Sequence, residues 1–170
     1  KKTWESEVER VVAKVNEAFT RSFQKIGHGC EGKCVALTTA GKVQLQKNDD
    51  FDKYEMQIWV TYRSSASLQL RRNGVAMKML SASSQSGGER SVATMLYLLC
   101  LQQVTDCPFR VVDEINQGMD PKNERRVFNL IVQSVFAFWA KSRYFMVTPK
   151  LLPDLKMESE HITVLFVYNG

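Results

Sequence analysis

The 170-residue chain predicts an α/β fold in which a mixed or parallel sheet is covered by helices. From Phe109 onward, short β-branched runs alternate with a helical pattern across connections of a few residues, as in strand–helix–strand units. Upstream, segments alternating with a period of two predict a sheet with one buried face, and a 3.6-residue period at the start predicts an amphipathic helix. With 44% hydrophobic and 24% charged residues, the chain is long enough to bury one sizeable core.

In the first segment Val8, Val11, Val12, Val15, Phe19 and Phe23 recur at steps of three and four, separated by Glu5, Glu7, Glu9, Arg10, Lys14 and Glu17. This spacing predicts one helix that ends before Gly27 and Gly29. The run "KCVALTTAGKVQLQ" predicts two short strands around Ala40 and Gly41. In "KYEMQIWVTYRS", Tyr54, Met56, Ile58, Val60 and Tyr62 alternate with polar residues, as in a half-buried strand. Residues 63 to 86 are rich in serine, contain Asn73 and Gly74, and read as a mobile surface loop.

That loop runs into "QSGGERSVATMLYLLCLQQ", in which Ser86 and Glu89 form an S-x-x-E capping box at the start of a helix. A capping box does not require Gly87 and Gly88, each of which weakens the first turn. Their functional reading is space: bare N–H groups at the positive end of a helix can touch an anion such as phosphate. The helix carries Val92, Met95, Leu96, Tyr97, Leu98, Leu99, Leu101 and Val104 almost all round, which predicts burial between layers.

After Pro108, the buried strand predicted at Val111 and Val112 ends in two neighbouring carboxylates, Asp113 and Glu114. Ionised carboxylates at such a place are costly unless a metal, a cation or water uses them. Asp120 followed by Pro121 starts another helix, with Val127, Ile131, Val135 and Phe138 on its apolar face. "RYFMVT" and "HITVLFVYN" complete the set as short buried strands.

In order and spacing, the Ser-Gly-Gly-Glu helix start, the Asp-Glu strand end and the "NQGMD" loop resemble the signature motif, Walker B motif and D-loop of ABC-type ATPases. Within that superfamily the chain resembles the C-terminal head lobe of an SMC (structural maintenance of chromosomes) protein. "QSGGERSVATMLYLLCLQQ", "CPFRVVDEINQGMDPKNERRVF", "TPKLLPDL" and "TVLFVYNG" are similar to the fifth eukaryotic SMC branch, whose members pair with the sixth. The similarity is close from Gln85 to Gly170, looser over residues 52 to 67, and general in the first helix. The loop at residues 71 to 79 is longer than that family leads one to expect.

The resemblance implies a division into residues 1–26, the base of a coiled-coil arm, and residues 27–170, the C-terminal lobe of the head. It implies ATP and Mg²⁺ as cofactors. Gln85, Ser86, Gly87, Gly88 and Glu89 would contact ATP bound mainly to a partner head. Asp113 would orient Mg²⁺ through water, and Glu114 would polarise the attacking water. Asn116, Gly118 and Asp120 would form the D-loop across the head–head interface. Thr148 falls where many ABC ATPases place a switch histidine, so this chain departs from that pattern.

No G-x-x-x-x-G-K-[ST] phosphate loop occurs in the 170 residues. The resemblance assigns it to a separate N-terminal Walker A lobe of the same protein, and the fragment alone is expected to be inactive. Other implied partners are the head of the sixth SMC protein, non-SMC subunits and DNA, with nuclear, chromosome-associated localisation. The alternatives are an ATP-gated scaffolding or DNA-binding lobe with little hydrolysis of its own, and the head of another coiled-coil ABC repair ATPase.

Composition narrows the remaining possibilities. The net charge of +5 is compatible with nucleic-acid contact, but the charges are scattered and form no basic run. There is no apolar stretch of membrane-spanning length and no signal-peptide pattern. The opening "KKTWESEVERVV" lacks an initiator methionine and reads as part of a longer polypeptide. "HGCEGKC" sets His28, Cys30 and Cys34 at zinc-like spacing without a second ligand pair, so the four cysteines are expected to be free thiols.

Overall fold

The computed structural model describes residues 2–28, 38–63, 77–114, 118–138, 143–149 and 161–168. Helix α1 (Lys2–His28) is followed by strands β1 (Thr38–Gln46), β2 (Glu55–Arg63) and β3 (Lys78–Met79), then helix α2 (Gly87–Gln102), strand β4 (Phe109–Asp113), helix α3 (Pro121–Phe138) and strand β5 (Arg143–Val147). Strands β1, β2 and β3 form an antiparallel sheet in that order, whereas β4 and β5 pair in parallel. The fold is therefore mixed α/β, as the alternation of strand and helix patterns predicts.

The apolar stripe of α1 lies against the antiparallel sheet, with Val15, Phe19 and Phe23 fully buried. The helix continues through Gly27 to His28, slightly beyond the boundary expected from the glycines. Strand β1 is the sheet edge, and α1 satisfies its outward backbone groups: the Val43 N–H donates to Asn16 Oδ1 at 2.8 Å, and Thr20 Oγ1 donates to the Gly41 carbonyl at 2.9 Å.

The two strands predicted around Ala40 and Gly41 are one continuous nine-residue strand, paired with β2 from Thr38↔Arg63 to Gln46↔Glu55. Gly41 is not a turn. A Cβ placed there would lie 2.6 Å from Phe19 Cε1 and 2.9 Å from Phe23 Cγ, so the missing side chain is what lets α1 approach. The loop predicted over residues 63 to 86 is interrupted by β3, whose Met79 and Lys78 pair with Trp59 and Val60. Residues 64–76, which hold most of that loop, lie outside the described residues.

Helix α2 lies at the centre of the core, burying Val92, Ala93, Leu96, Leu99 and Cys100. It is not covered all round: Thr94 and Leu98 are exposed on one side. Its C-terminal end is held by Arg110 of β4, a buried guanidinium that donates to the Gln102 carbonyl at 2.8 Å and to the Thr105 carbonyl. A cation there complements both the open carbonyls and the negative helix end.

Strands β4 and β5 are only half buried, against the expectation of fully buried strands. Arg110, Val112, Tyr144 and Met146 turn toward the core. The alternate residues Phe109, Val111, Phe145 and Val147 are 59, 60, 51 and 53% exposed and share the opposite face. The strand expected within "HITVLFVYN" does not form: residues 162–168 have no ladder partner, and Leu165, Phe166, Val167 and Tyr168 are exposed. β-Propensity needs a neighbouring strand to be realised, and none pairs with this segment among the described residues. No helix of the described residues is long and apolar enough to cross a membrane.

Candidate functional site

The N-terminus of α2 carries the capping box that the sequence predicts. Ser86 is extended (φ −65°, ψ 160°), its Oγ accepts from the Glu89 N–H at 3.3 Å, and its own N–H donates to Glu89 Oε2 at 2.9 Å. Because Oγ serves as an acceptor in the cap, its own proton is left to donate elsewhere. Gly87 and Gly88 occupy the first helical turn, where N–H groups have no intrahelical acceptor. A Cβ on Gly87 would meet nothing within 4 Å, and one on Gly88 would come only to 3.8 Å of Asp120 Oδ2. Nothing within the described chain requires these glycines, so the room they leave is open to an external group.

Gln85 shapes the approach to the helix start. Its amide oxygen accepts from the Ser81 N–H at 2.9 Å and its Nε2 donates to the Met79 carbonyl at 3.4 Å, closing the turn that leads into α2.

Asp113 and Glu114 lie at the carboxyl end of the parallel pair, where ligands of α/β sheets bind. Both are exposed. Glu114 adopts φ 48°, an uncommon left-handed conformation for a side-chain-bearing residue. Its N–H donates to the Val147 carbonyl at 3.0 Å, extending the β4–β5 ladder by one bond. This sets Thr148, the residue after β5, beside the two carboxylates at the sheet end.

Asp120 caps α3: its Oδ1 accepts from the Asn123 N–H at 3.1 Å and its Oδ2 from Asn123 Nδ2 at 2.6 Å. Gly118 has φ 77°, which explains glycine at that position, and Met119 is buried between them. Asn116 lies outside the described residues, as do Cys30 and Cys34. Cys100 is a buried thiol whose pKa burial pushes up to about 11, and neither it nor Cys107 forms a disulfide among the described residues.

One open cleft of about 460 Å³ lies beside α2 just past its helix start, lined on α2 by Arg90, Ser91 and Thr94 and on the opposite side by Val112, Asp113 and Glu114. At the edge of this cleft Ser91 Oγ donates to the Gly87 carbonyl at 3.0 Å, and it would sit 3.9 Å from a Cβ placed on Gly118. Two adjacent exposed carboxylates suit a hard cation such as Mg²⁺, which binds through one or two carboxylates and takes its other oxygens from phosphate and water. Among the described residues no three His, Cys, Asp or Glu side chains gather to form a complete cage.

Two residues that position this site are not evident from motifs. Arg110 anchors the far end of α2. Tyr62 of β2 donates its hydroxyl to the Glu89 carbonyl in the first turn of α2. The only sequence signal for Tyr62 is its place on the inward side of an alternating strand, where a buried phenol must find a polar partner.

A parallel pair with paired carboxylates at its carboxyl end, flanked by a capped glycine helix start and an antiparallel sheet on a long helix, is the architecture of an SMC ATPase head. A solved SMC ATPase structure, described in terms of ATP-driven dimerization and DNA-stimulated activation, matches with a TM-score of 0.60 at 18% identity, covering 86% of this chain and 74% of that one. The chain belongs to the structural maintenance of chromosomes family. It is 43% identical over 171 residues to structural maintenance of chromosomes protein 5 of Arabidopsis thaliana and 44% identical over 170 residues to that of Schizosaccharomyces pombe, covering 100% of this chain in both. It spans 14% of the length of each of these relatives. No family model matches the chain.

Proposed function

We propose that the chain is the C-terminal half of an SMC ATPase head, which completes one ATP site with an N-terminal Walker A lobe of the same protein and engages a partner head's ATP through its signature motif. The observation that supports this reading is the exposed pair of strand-end carboxylates, Asp113 and Glu114, facing Arg90, Ser91 and Thr94 of the helix that the capped Ser86–Gly87–Gly88 start opens. Residues 1–26 form the base of a coiled-coil arm and residues 27–170 the lobe itself.

Bound ATP with Mg²⁺ supplies the phosphoryl group to be transferred and the counter-charge for its oxygens. Asp113 holds the cation through water. Glu114, fixed by its backbone bond to Val147, orients a water and accepts its proton. Thr148, with a hydroxyl and no titrating ring, supplies a hydrogen-bonding contact where other ABC ATPases use histidine. Ser86 donates its hydroxyl proton, and the N–H groups of Gly87 and Gly88 their hydrogens, to the terminal phosphate held by the partner. Asn116, Gly118 and Asp120 line the crossing between heads.

Exposed apolar surface supports the missing lobe. Phe109, Val111, Phe145 and Val147 share one exposed sheet face, and the segment through Leu165 and Tyr168 has strand-forming residues with no strand paired to it among the described residues. Apolar faces of this kind mark association sites, and the Walker A lobe is the occupant proposed. The partner head is that of the sixth SMC protein, with non-SMC subunits and DNA completing a nuclear, chromosome-associated complex for DNA repair and chromosome maintenance. The isolated 170-residue chain should not hydrolyse ATP.

Glu114→Gln in the full-length protein assembled with its partner tests the reading. Loss of a positioned base is expected to lower turnover by about 10²- to 10⁴-fold and to trap ATP-bound, engaged heads. Unchanged turnover would favour a scaffolding lobe, and Glu114-dependent turnover by the 170-residue chain alone would overturn the composite-site proposal.

A further inference from the structure

We infer that Tyr62 is a positioning residue for the signature helix start, clamping its first turn to the root of α1 through a single phenol hydroxyl. This inference rests on the signature reading of Ser86–Glu89 given above. The contacts form a continuous chain. Phe23, fully buried on α1, stacks at a tilt against Tyr62 with ring centroids 5.2 Å apart, and Phe19 lies 5.3 Å from Phe23 on the next turn. The Tyr62 hydroxyl donates to the Glu89 carbonyl. Glu89 lies in the first turn of α2, so the hydroxyl adds a donor from the sheet to a carbonyl of the helix ladder.

Glu89 is the residue that holds Ser86. Its N–H reaches Ser86 Oγ and its carboxylate takes the Ser86 N–H. With its carbonyl bonded to Tyr62, every polar group of Glu89 is committed: two to the cap and one to the sheet. A change in the seat of Phe23 therefore reaches Ser86 through two bonded residues, Tyr62 and Glu89. Burial and the nearby Glu89 charge hold the phenol neutral well above the usual tyrosine range, so the hydroxyl remains a donor across the working pH range. The ring of Tyr62 fills space that phenylalanine would fill equally, which makes the hydroxyl separable from the packing.

Tyr62→Phe in the full-length protein, assembled with its partner SMC polypeptide, tests the inference. Loss of one neutral hydrogen bond is expected to weaken ATP-dependent head–head association roughly fivefold. ATP affinity of the unengaged head should be unchanged. Amide hydrogen exchange should accelerate at residues 86–93 and not in β1 or α3, which a general loss of core stability would also move. Wild-type association with unchanged exchange at residues 86–93 would overturn the inference, as would acceleration spread evenly over the lobe. Ser86→Arg is the reference variant. If it abolishes association while Tyr62→Phe does not weaken it, the Tyr62 inference fails alone; if neither variant alters association, the signature reading fails with it.

Discussion

Replacing Gly41 by alanine adds one methyl group at the place where α1 meets β1. The added carbon would lie 2.6 Å from Phe19 Cε1, 2.9 Å from Phe23 Cγ and 3.0 Å from Phe23 Cδ2. Neither ring can swing away, because both are fully buried and packed on each other. Overpacking of this kind costs about 1–3 kcal/mol. Loss of glycine's freedom in the unfolded chain returns about 0.4–1 kcal/mol, leaving a net destabilisation of about 1–2 kcal/mol. In hydrogen exchange on the full-length protein this corresponds to roughly 5- to 30-fold faster exchange at amides that open with the α1–β1 contact. The Val43 N–H, bonded to Asn16 Oδ1, is the natural reporter. Gly87→Ala is the control, since a Cβ there meets nothing within 4 Å and should leave exchange of the lobe unchanged or slower. Equal, small effects of the two substitutions would refute the claim that Gly41 exists to admit the helix.

Arg110→Met should loosen the C-terminal end of α2 by about 2–3 kcal/mol, because two carbonyls at the helix end lose a buried, charged donor that methionine cannot replace; exchange at residues 99–105 is the measurement, and protection equal to wild type would contradict it. Burial raises the Cys100 thiol from its ordinary 9.0 to about 11 and the Tyr144 phenol from 10.0 to about 12. Groups raised in the folded state contribute fully below their unfolded values and lose that contribution as pH climbs through the folded ones. Protection of α2 should therefore hold up to about pH 9 and decline toward pH 11, and a profile flat across that window would count against the buried thiol. Alkylation of Cys100 at pH 8 should be slow for the same reason.

The candidate site was legible where chemistry is local. A capping box is four consecutive residues, so Ser86 and Glu89 bond as their spacing requires; Asp120 caps the helix that Pro121 opens; and Asp113 and Glu114 end a strand because the β-branched run stops there. Other features were illegible because they depend on residues far away in the chain. A glycine after an alanine reads as a turn, yet Gly41 sits within a straight strand because two phenylalanines twenty residues earlier need its space. Apolar alternation in β4 and β5 reads as burial, although half of it waits for a surface that the described residues do not supply.

By itself the sequence determined the helical and strand periods, both helix caps, the strand-end carboxylates and, through their order, the SMC resemblance. These follow from hydrogen bonds and side-chain spacings that close within a few residues. Only the tertiary structure decided that β1 is a single strand under α1, that Arg110 holds one end of α2 and Tyr62 the other, and that the carboxylates share a cleft with Arg90, Ser91 and Thr94 of α2. Each of these depends on contacts between elements separated by many residues, where packing selects among partners that local patterns leave equivalent.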